Sequence, residues 1–210
     1  HIEIVVTTEN NETYVLNHDG TIADGWPQYI PSVSWWAVNK PPALADLNGD
    51  GDLEIIIDAV DKLYVLNRDG TIVDGWPKDI ARYGNNAFSL GDLDSDGLPE
   101  IVFGRSGYID ENYLYAFNDD GSNVTGWPIS LPYPVHTPCV IADINSDLNQ
   151  EVIVRGEIDK IYIFNSDGSS VEGWPKTIED FGHSGTLSPS PLVTDLDGDG
   201  DIEIVALSFF

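Results

Sequence analysis

Methionine is missing from all 210 residues and cysteine occurs once, at Cys139. A single thiol excludes any disulfide within the chain, and its setting, Cys139-Val140-Ile141-Ala142, predicts a buried, reduced side chain. Basic residues are scarce: nine Lys and Arg stand against 36 Asp and Glu, a net charge of −27. That imbalance argues against nucleic acid and against anionic membrane as partners. No apolar run approaches the roughly 20 residues that cross a bilayer, so no membrane insertion is expected, and no stretch has the layout of a signal peptide. Helical periodicity and helix caps are missing as well. Without Met and starting at His1, the chain reads as a processed or excerpted segment.

What is abundant is acid, and it is patterned. Asp46-Leu47-Asn48-Gly49-Asp50-Gly51-Asp52-Leu53-Glu54 places oxygen-bearing side chains at loop positions 1, 3, 5 and 9. Such an alternation folds a short loop around one hard cation. Asp46, Asn48 and Asp50 point inward, Asp52 offers its backbone carbonyl and Glu54 closes the shell. An all-oxygen donor set suits Ca²⁺ better than Zn²⁺ or a redox metal. The same pattern returns as Asp92, Asp94, Asp96, Leu98 and Glu100, as Asp143, Asn145, Asp147, Asn149 and Glu151, and as Asp195, Asp197, Asp199, Asp201 and Glu203. Loop starts lie 46, 51 and 52 residues apart, a regularity that a solvated acidic turn would not produce. Position 6 is glycine in three loops and Leu148 in the third. If that position needs positive φ, leucine there costs roughly 1–2 kcal/mol, so the third site is expected to be the weakest.

A second marker shares this period. Each repeat carries a stretch like Tyr64-Val65-Leu66-Asn67-Arg68-Asp69-Gly70, followed by Gly75-Trp76-Pro77. The tryptophans Trp26, Trp76, Trp127 and Trp174 are spaced 50, 51 and 47 residues apart. Within one repeat, Pro42–Ala45, Leu53–Ala59, Lys62–Asn67 and Thr71–Ile80 read as four antiparallel strands, the last an outer edge because Pro77 has no amide donor. Four strands in 45 to 50 residues match one blade of a β-propeller, an all-β fold. The tryptophan then serves as the anchor by which an outer strand docks on the next blade. The segmentation is a partial blade over 1–36, blades over 37–83, 84–132 and 133–183, and a partial blade over 184–210.

Ser89-Leu90-Gly91-Asp92-Leu93-Asp94-Ser95-Asp96-Gly97, with Pro99-Glu100-Ile101-Val102-Phe103-Gly104, resembles an FG-GAP repeat, the unit of integrin alpha-subunit propellers and of many secreted proteins with VCBS-type repeats. The resemblance implies Ca²⁺ in the hairpin between the first and second strands of a blade, up to four ions in this chain, and an extracellular setting, secreted or at the cell surface. The half-repeat Leu63-Tyr64-Val65-Leu66-Asn67 with Gly75-Trp76 is also similar to quinone-type propeller repeats, which supports the architecture rather than a quinone site.

No catalytic constellation emerges. The carboxylates sit in four equivalent loops, His18, His136 and His183 occupy non-equivalent places, and neither a nucleophile elbow nor a phosphate loop is present. Ligand recognition would fall on the irregular connections between blades, which carry Trp35, Trp36, Tyr83, Tyr133, His136 and His183. Beside Asn39, Asn85 and Asn86 these aromatics offer a platform for a carbohydrate or protein partner, or else they plug blade junctions. The sequons at Asn11 and Asn123 permit glycosylation. Two function classes remain: a non-catalytic extracellular module for adhesion, recognition or assembly, and the accessory propeller of a secreted protease or polysaccharide lyase. His1–Val6 aligns with Asp52–Ile57, and Asp201–Val205 repeats the same strand, so completion by further blades of a longer chain, or by head-to-tail contact between copies, is expected.

Overall fold

The computed structural model describes residues 3–31, 41–80, 88–106, 112–135, 137–156, 160–177 and 190–206. Among them there is no helix, only seventeen short strands in five antiparallel sheets. The first sheet is β1 (Ile4–Thr7), β2 (Glu12–Leu16) and β3 (Gln28–Tyr29). The second is β4 (Ala43–Ala45), β5 (Glu54–Asp58), β6 (Lys62–Leu66) and β7 (Lys78–Asp79), and the third β8 (Ser89–Gly91), β9 (Glu100–Ser106), β10 (Asn112–Phe117) and β11 (Ile129–Leu131). The fourth is β12 (Val140–Ala142), β13 (Glu151–Arg155), β14 (Lys160–Phe164) and β15 (Lys176–Thr177), and the fifth pairs β16 (Leu192–Thr194) with β17 (Glu203–Val205). Every sheet runs in sequence order, strand against next strand, which is the meander of a propeller blade.

The core lies between sheets. Strand β5 is buried at all five positions because each of its faces meets another blade. Ile55 and Ile57 pack on Val15, Trp26 and Ile30 of the first blade. Ile56, with Leu63, Val65 and Trp76, packs on Ile101, Phe103 and Phe117 of the third. The third and fourth blades share Leu114, Ala116 and Trp127 with Val152, Val154 and Cys139, and Ile153, Ile161 and Ile163 of the fourth meet Val193, Ile204 and Ala206 of the fifth. Cys139 is buried as its setting suggested, and desolvation pushes its thiol up to about 12. First strands also touch across blades, where the Ser89 hydroxyl donates to the Cys139 carbonyl at 2.7 Å and the Ser190 hydroxyl to that of Pro138 at 2.9 Å.

One expected element is shorter than its sequence suggests. Thr71–Ile80 is not a single strand: Ile72 makes an isolated bridge to Leu66, Gly75 turns the chain at φ 87°, the Trp76-Pro77 bond is cis, and only Lys78–Asp79 pairs. A left-handed glycine followed by proline interrupts the ladder.

That interruption makes the blade seam. The Asn-x-Asp-Gly turn of the next blade seats on Gly-Trp-Pro, and the indole N–H donates to the carbonyl of residue x. Trp26 bonds Arg68 at 2.9 Å, Trp76 bonds Asp119 at 2.7 Å and Trp127 bonds Ser166 at 2.8 Å. The glycine before each tryptophan lies so close to the docked turn that a Cβ on Gly25, Gly75 or Gly126 would stand 2.0, 2.1 or 1.8 Å from the carbonyl oxygen of Asp69, Asp120 or Asp167. The turns hold their own shape through the aspartate, whose carboxylate accepts the N–H two residues on, as at Asp69 and Thr71 (3.0 Å). Hydrogen bonds from the Thr71 hydroxyl and then its amide keep the Asp69 carboxyl below the usual range.

Candidate metal centres

The four acidic loops join the first and second strands of the second to fifth blades, and each folds by one set of bonds. Position 1 accepts the N–H of position 6: Asp46 from Gly51 (3.0 Å), Asp92 from Gly97 (3.1 Å), Asp143 from Leu148 (2.9 Å) and Asp195 from Gly200 (3.1 Å). Position 3 accepts the N–H of position 5, as Asn48 does from Asp50 (2.9 Å), Asp94 from Asp96 (3.3 Å), Asn145 from Asp147 (2.9 Å) and Asp197 from Asp199 (3.2 Å). Position 5 accepts that of position 7, Asp50 from Asp52, Asp96 from Leu98, Asp147 from Asn149 and Asp199 from Asp201, all at 2.8–2.9 Å. These short-range bonds fix the side-chain rotamers and turn the carboxylates toward one another. In the second and fourth loops, oxygens of Asp92, Asp94 and Asp96, and of Asp195, Asp197 and Asp199, lie within 4.8 Å of one another.

The glutamate at position 9 reaches back from the second strand. One oxygen accepts the N–H of position 2: Glu54 from Leu47 (2.8 Å), Glu100 from Leu93 (2.5 Å), Glu151 from Ile144 (3.0 Å) and Glu203 from Leu196 (2.8 Å). It therefore ties loop to strand through Oε2, a tether the motif alone did not disclose. Desolvation raises the carboxyls of Glu54 and Glu151, and it takes Glu100 to about 7 against the opposing pull of the Leu93 N–H, with Asp94 adding to the rise. A buried glutamate beside aspartates of the same sign favours a compensating positive charge.

The donor set fits such a charge. Asp92 Oδ1 is buried and makes no hydrogen bond, although its partner oxygen takes the Gly97 N–H. An orphaned carboxylate oxygen facing two further carboxylates matches an oxygen-only shell for a hard divalent cation. The third loop differs: the Asn145 amide nitrogen donates to Asp147 Oδ2 (3.1 Å) and Glu151 Oε1 (3.4 Å), spending those oxygens on an internal donor.

Position 6 does require positive φ. Gly51, Gly97 and Gly200 sit at 90°, 92° and 96°, and Leu148 is held at 74° with its side chain 88% exposed. Position 4 shares the requirement, at Gly49 (75°), Ser95 (64°), Ser146 (61°) and Gly198 (82°). The glycines of the first and fourth loops were the available signal for that second constraint. Leu148→Gly is expected to stabilise the chain by about 1 kcal/mol, relieving a left-handed leucine that costs about 1–2 kcal/mol and returning part as unfolded-chain entropy. Equilibrium urea unfolding measures it, and a lowered midpoint would contradict the strain argument.

Of the expected recognition residues, Tyr133 lies after β11 with 40% of its surface exposed. Trp35, Trp36, Tyr83, His136 and His183 lie outside the described residues. The two sequons differ, for Thr13 is fully buried in β2 whereas Asn123 and Thr125 face solvent.

A sequence profile of the FG-GAP-like repeat matches residues 1–57 and 92–154, more than half of the chain. The chain belongs to the FG-GAP-like repeat family. Among curated proteins no significant relative matches this FG-GAP-like chain. Solved structures similar to it include the C-terminal domain of Pseudomonas aeruginosa PilY1, at TM-score 0.71 and 13% identity over 96% of this chain and 51% of that one. Another is BBS1N, solved in complex with ARL6DN, at TM-score 0.53 and 12% identity over 81% of this chain and 48% of that one. The FG-GAP-like chain thus spans about half the length of these two structures. At such identities the likeness shows the fold alone, a β-propeller. No helix among the described residues is long and apolar enough to cross a membrane.

Proposed function

We propose that this chain is a non-catalytic, calcium-binding propeller module that works outside the cell in adhesion or recognition, with the aromatic connections between blades as its contact face for a carbohydrate or a protein. The observation that carries the calcium part is the buried, unbonded Oδ1 of Asp92, set beside Asp94 and Asp96. Bound Ca²⁺ would supply the positive charge that lets these carboxylates stay ionised together. Asp92, Asp94 and Asp96 with Glu100, and their counterparts in the other loops, would hold it. Four equivalent loops support a scaffolding role for the ion, because chemistry needs one site and seam rigidity profits from every site.

Extracellular modules of this sort bind Ca²⁺ at roughly 10⁻⁴–10⁻³ M. Each site held well above its Kd therefore adds on the order of 1 kcal/mol or more. The expected result is a melting temperature that falls in EDTA and rises in millimolar Ca²⁺, with the loop of Leu148 last to fill. Isothermal titration with Asp92→Asn locates the second site. A melting temperature indifferent to both reagents would end the calcium reading.

A further inference from the structure

Asn48-Gly49 is the one Asn-Gly pair in the chain, and it occupies positions 3 and 4 of the first acidic loop with both residues exposed. The hydrogen bonds around it place three reacting parts about one carboxamide. The Gly49 N–H donates to Asp46 Oδ1 at 2.8 Å, so a carboxylate stands ready to take that proton. The Asp50 N–H donates to Asn48 Oδ1 at 2.9 Å, which polarises the side-chain carbonyl. Gly49 has no Cβ and adopts φ 75°, so nothing of its own shields its nitrogen.

The geometry points to Asn48 as a self-modifying site, where the chain cyclises on itself and loses ammonia. In the first step the Gly49 nitrogen bonds to Asn48 Cγ while its proton passes to Asp46 Oδ1. The negative charge that gathers on Asn48 Oδ1 is held by the Asp50 N–H, at a distance suited to an oxyanion donor. The Cγ–Nδ2 bond then breaks, Asp46 returns the proton, and ammonia departs to leave a five-membered succinimide. Water opens that ring at either carbonyl, giving an aspartyl or an isoaspartyl residue at position 48. The sum is one water consumed and one ammonia released, with no oxidation. A base within hydrogen-bond reach of the proton is worth roughly 10²–10⁴-fold, and closure between neighbouring residues adds the advantage of an intramolecular step.

The other loops single out Asn48 by what they replace. In the fourth, the Gly198 N–H donates to Asp195 Oδ1 at 2.6 Å and the Asp199 N–H to Asp197 Oδ1 at 3.2 Å, but the Asp197 carboxylate has no amine to release. In the third, Asp143 Oδ1 accepts the Asp147 N–H at 3.2 Å, and the Asn145 amide nitrogen is spent on Asp147 and Glu151. Ser146 also sets a Cβ beside the nitrogen that would attack. The two products give the first loop opposite fates. The aspartyl form carries one more carboxylate and matches Asp195–Glu203 at every position except Leu53, where the fourth loop has Ile202. The isoaspartyl form inserts a methylene into the backbone after position 3 and breaks the alternation that aims positions 1, 3 and 5 inward.

The test incubates the full chain at neutral pH in EDTA, well below its melting temperature in that buffer, so the outcome is independent of the calcium reading. Peptide mapping by mass spectrometry follows each asparagine, and released ammonia is measured alongside. Deamidation should accumulate at Asn48 and leave Asn145 intact. The folded chain should react at Asn48 at least about tenfold faster than the same chain unfolded in urea, because only the folded loop holds Asp46 Oδ1 on the Gly49 N–H. Asp46→Asn should remove that advantage in the folded chain and change nothing in urea. Circular dichroism checks that the variant folds; if it does not, the folded and urea-unfolded parent decide alone. A folded rate no greater than the rate in urea overturns the assignment. So does a folded Asp46→Asn chain that reacts as fast as the parent, or an Asn145 that reacts as fast as Asn48.

Discussion

Replacing Arg105 with methionine is expected to cost about 3–5 kcal/mol, the penalty for leaving a buried carboxylate without its cation. Arg105 on β9 of the third blade forms an ion pair through Nη2 with Asp58 Oδ1 on β5 of the second, and both side chains are 2% exposed. No bulk water screens that pair, so its loss is felt in full, unlike the exposed contacts of Arg68 with Glu3 and Asp52 at 3.4 Å. The double variant Asp58→Leu/Arg105→Met should regain most of the loss, since a buried ion pair contributes little over well-packed apolar groups. A thermodynamic cycle in urea reads both values. If the double variant is as unstable as the sum of the singles, the two side chains do not act as a pair.

The second large effect belongs to the seams. Gly126→Ala places a methyl group 1.8 Å from the Asp167 carbonyl oxygen, at a φ of 89°. The left-handed backbone costs about 1–2 kcal/mol and the overlap about 1–3 kcal/mol, so the loss should be roughly 2–5 kcal/mol. Gly173→Ala carries the same backbone demand, at φ 83°, without the overlap. It should cost only the first part, about 1–2 kcal/mol. The difference between these two substitutions isolates blade-to-blade contact from backbone preference. Equal losses would mean that the seam opens to admit the methyl group at little cost.

Much of this architecture was legible in the residues because repetition exposes it. The loop spacing, the β-branched second strands and the tryptophan period each point to four-stranded blades, and the meander confirms them. The anchor role of Trp76 was legible too, since a Pro-capped outer strand cannot pair further and must dock. What stayed hidden depends on contacts far apart in the chain. Nothing beside Gly75 in the sequence says that Asp120 presses on it, and nothing marks Asp58 and Arg105 as partners, because each looks like an ordinary charge at a strand end. The loops fall between these cases. Their ligand order is local and readable, but the left-handed demand at position 4 was masked where Ser95 and Ser146 replace glycine, and the tether from Glu54 to the Leu47 N–H is a property of the folded hairpin.

The placement of the apolar residues has a consequence for how such chains grow. Each of the four core layers is shared between two neighbouring blades. A lone repeat therefore owns two half-layers and no complete one, so it cannot bury its apolar residues without neighbours. A duplicated repeat arriving beside an existing one inherits a finished wall to fold against, and its Gly-Trp-Pro segment and turn already match. Lengthening by whole repeats is thus the mutational step that this design tolerates best, whereas losing half a repeat strips a layer from a neighbour that has itself not changed.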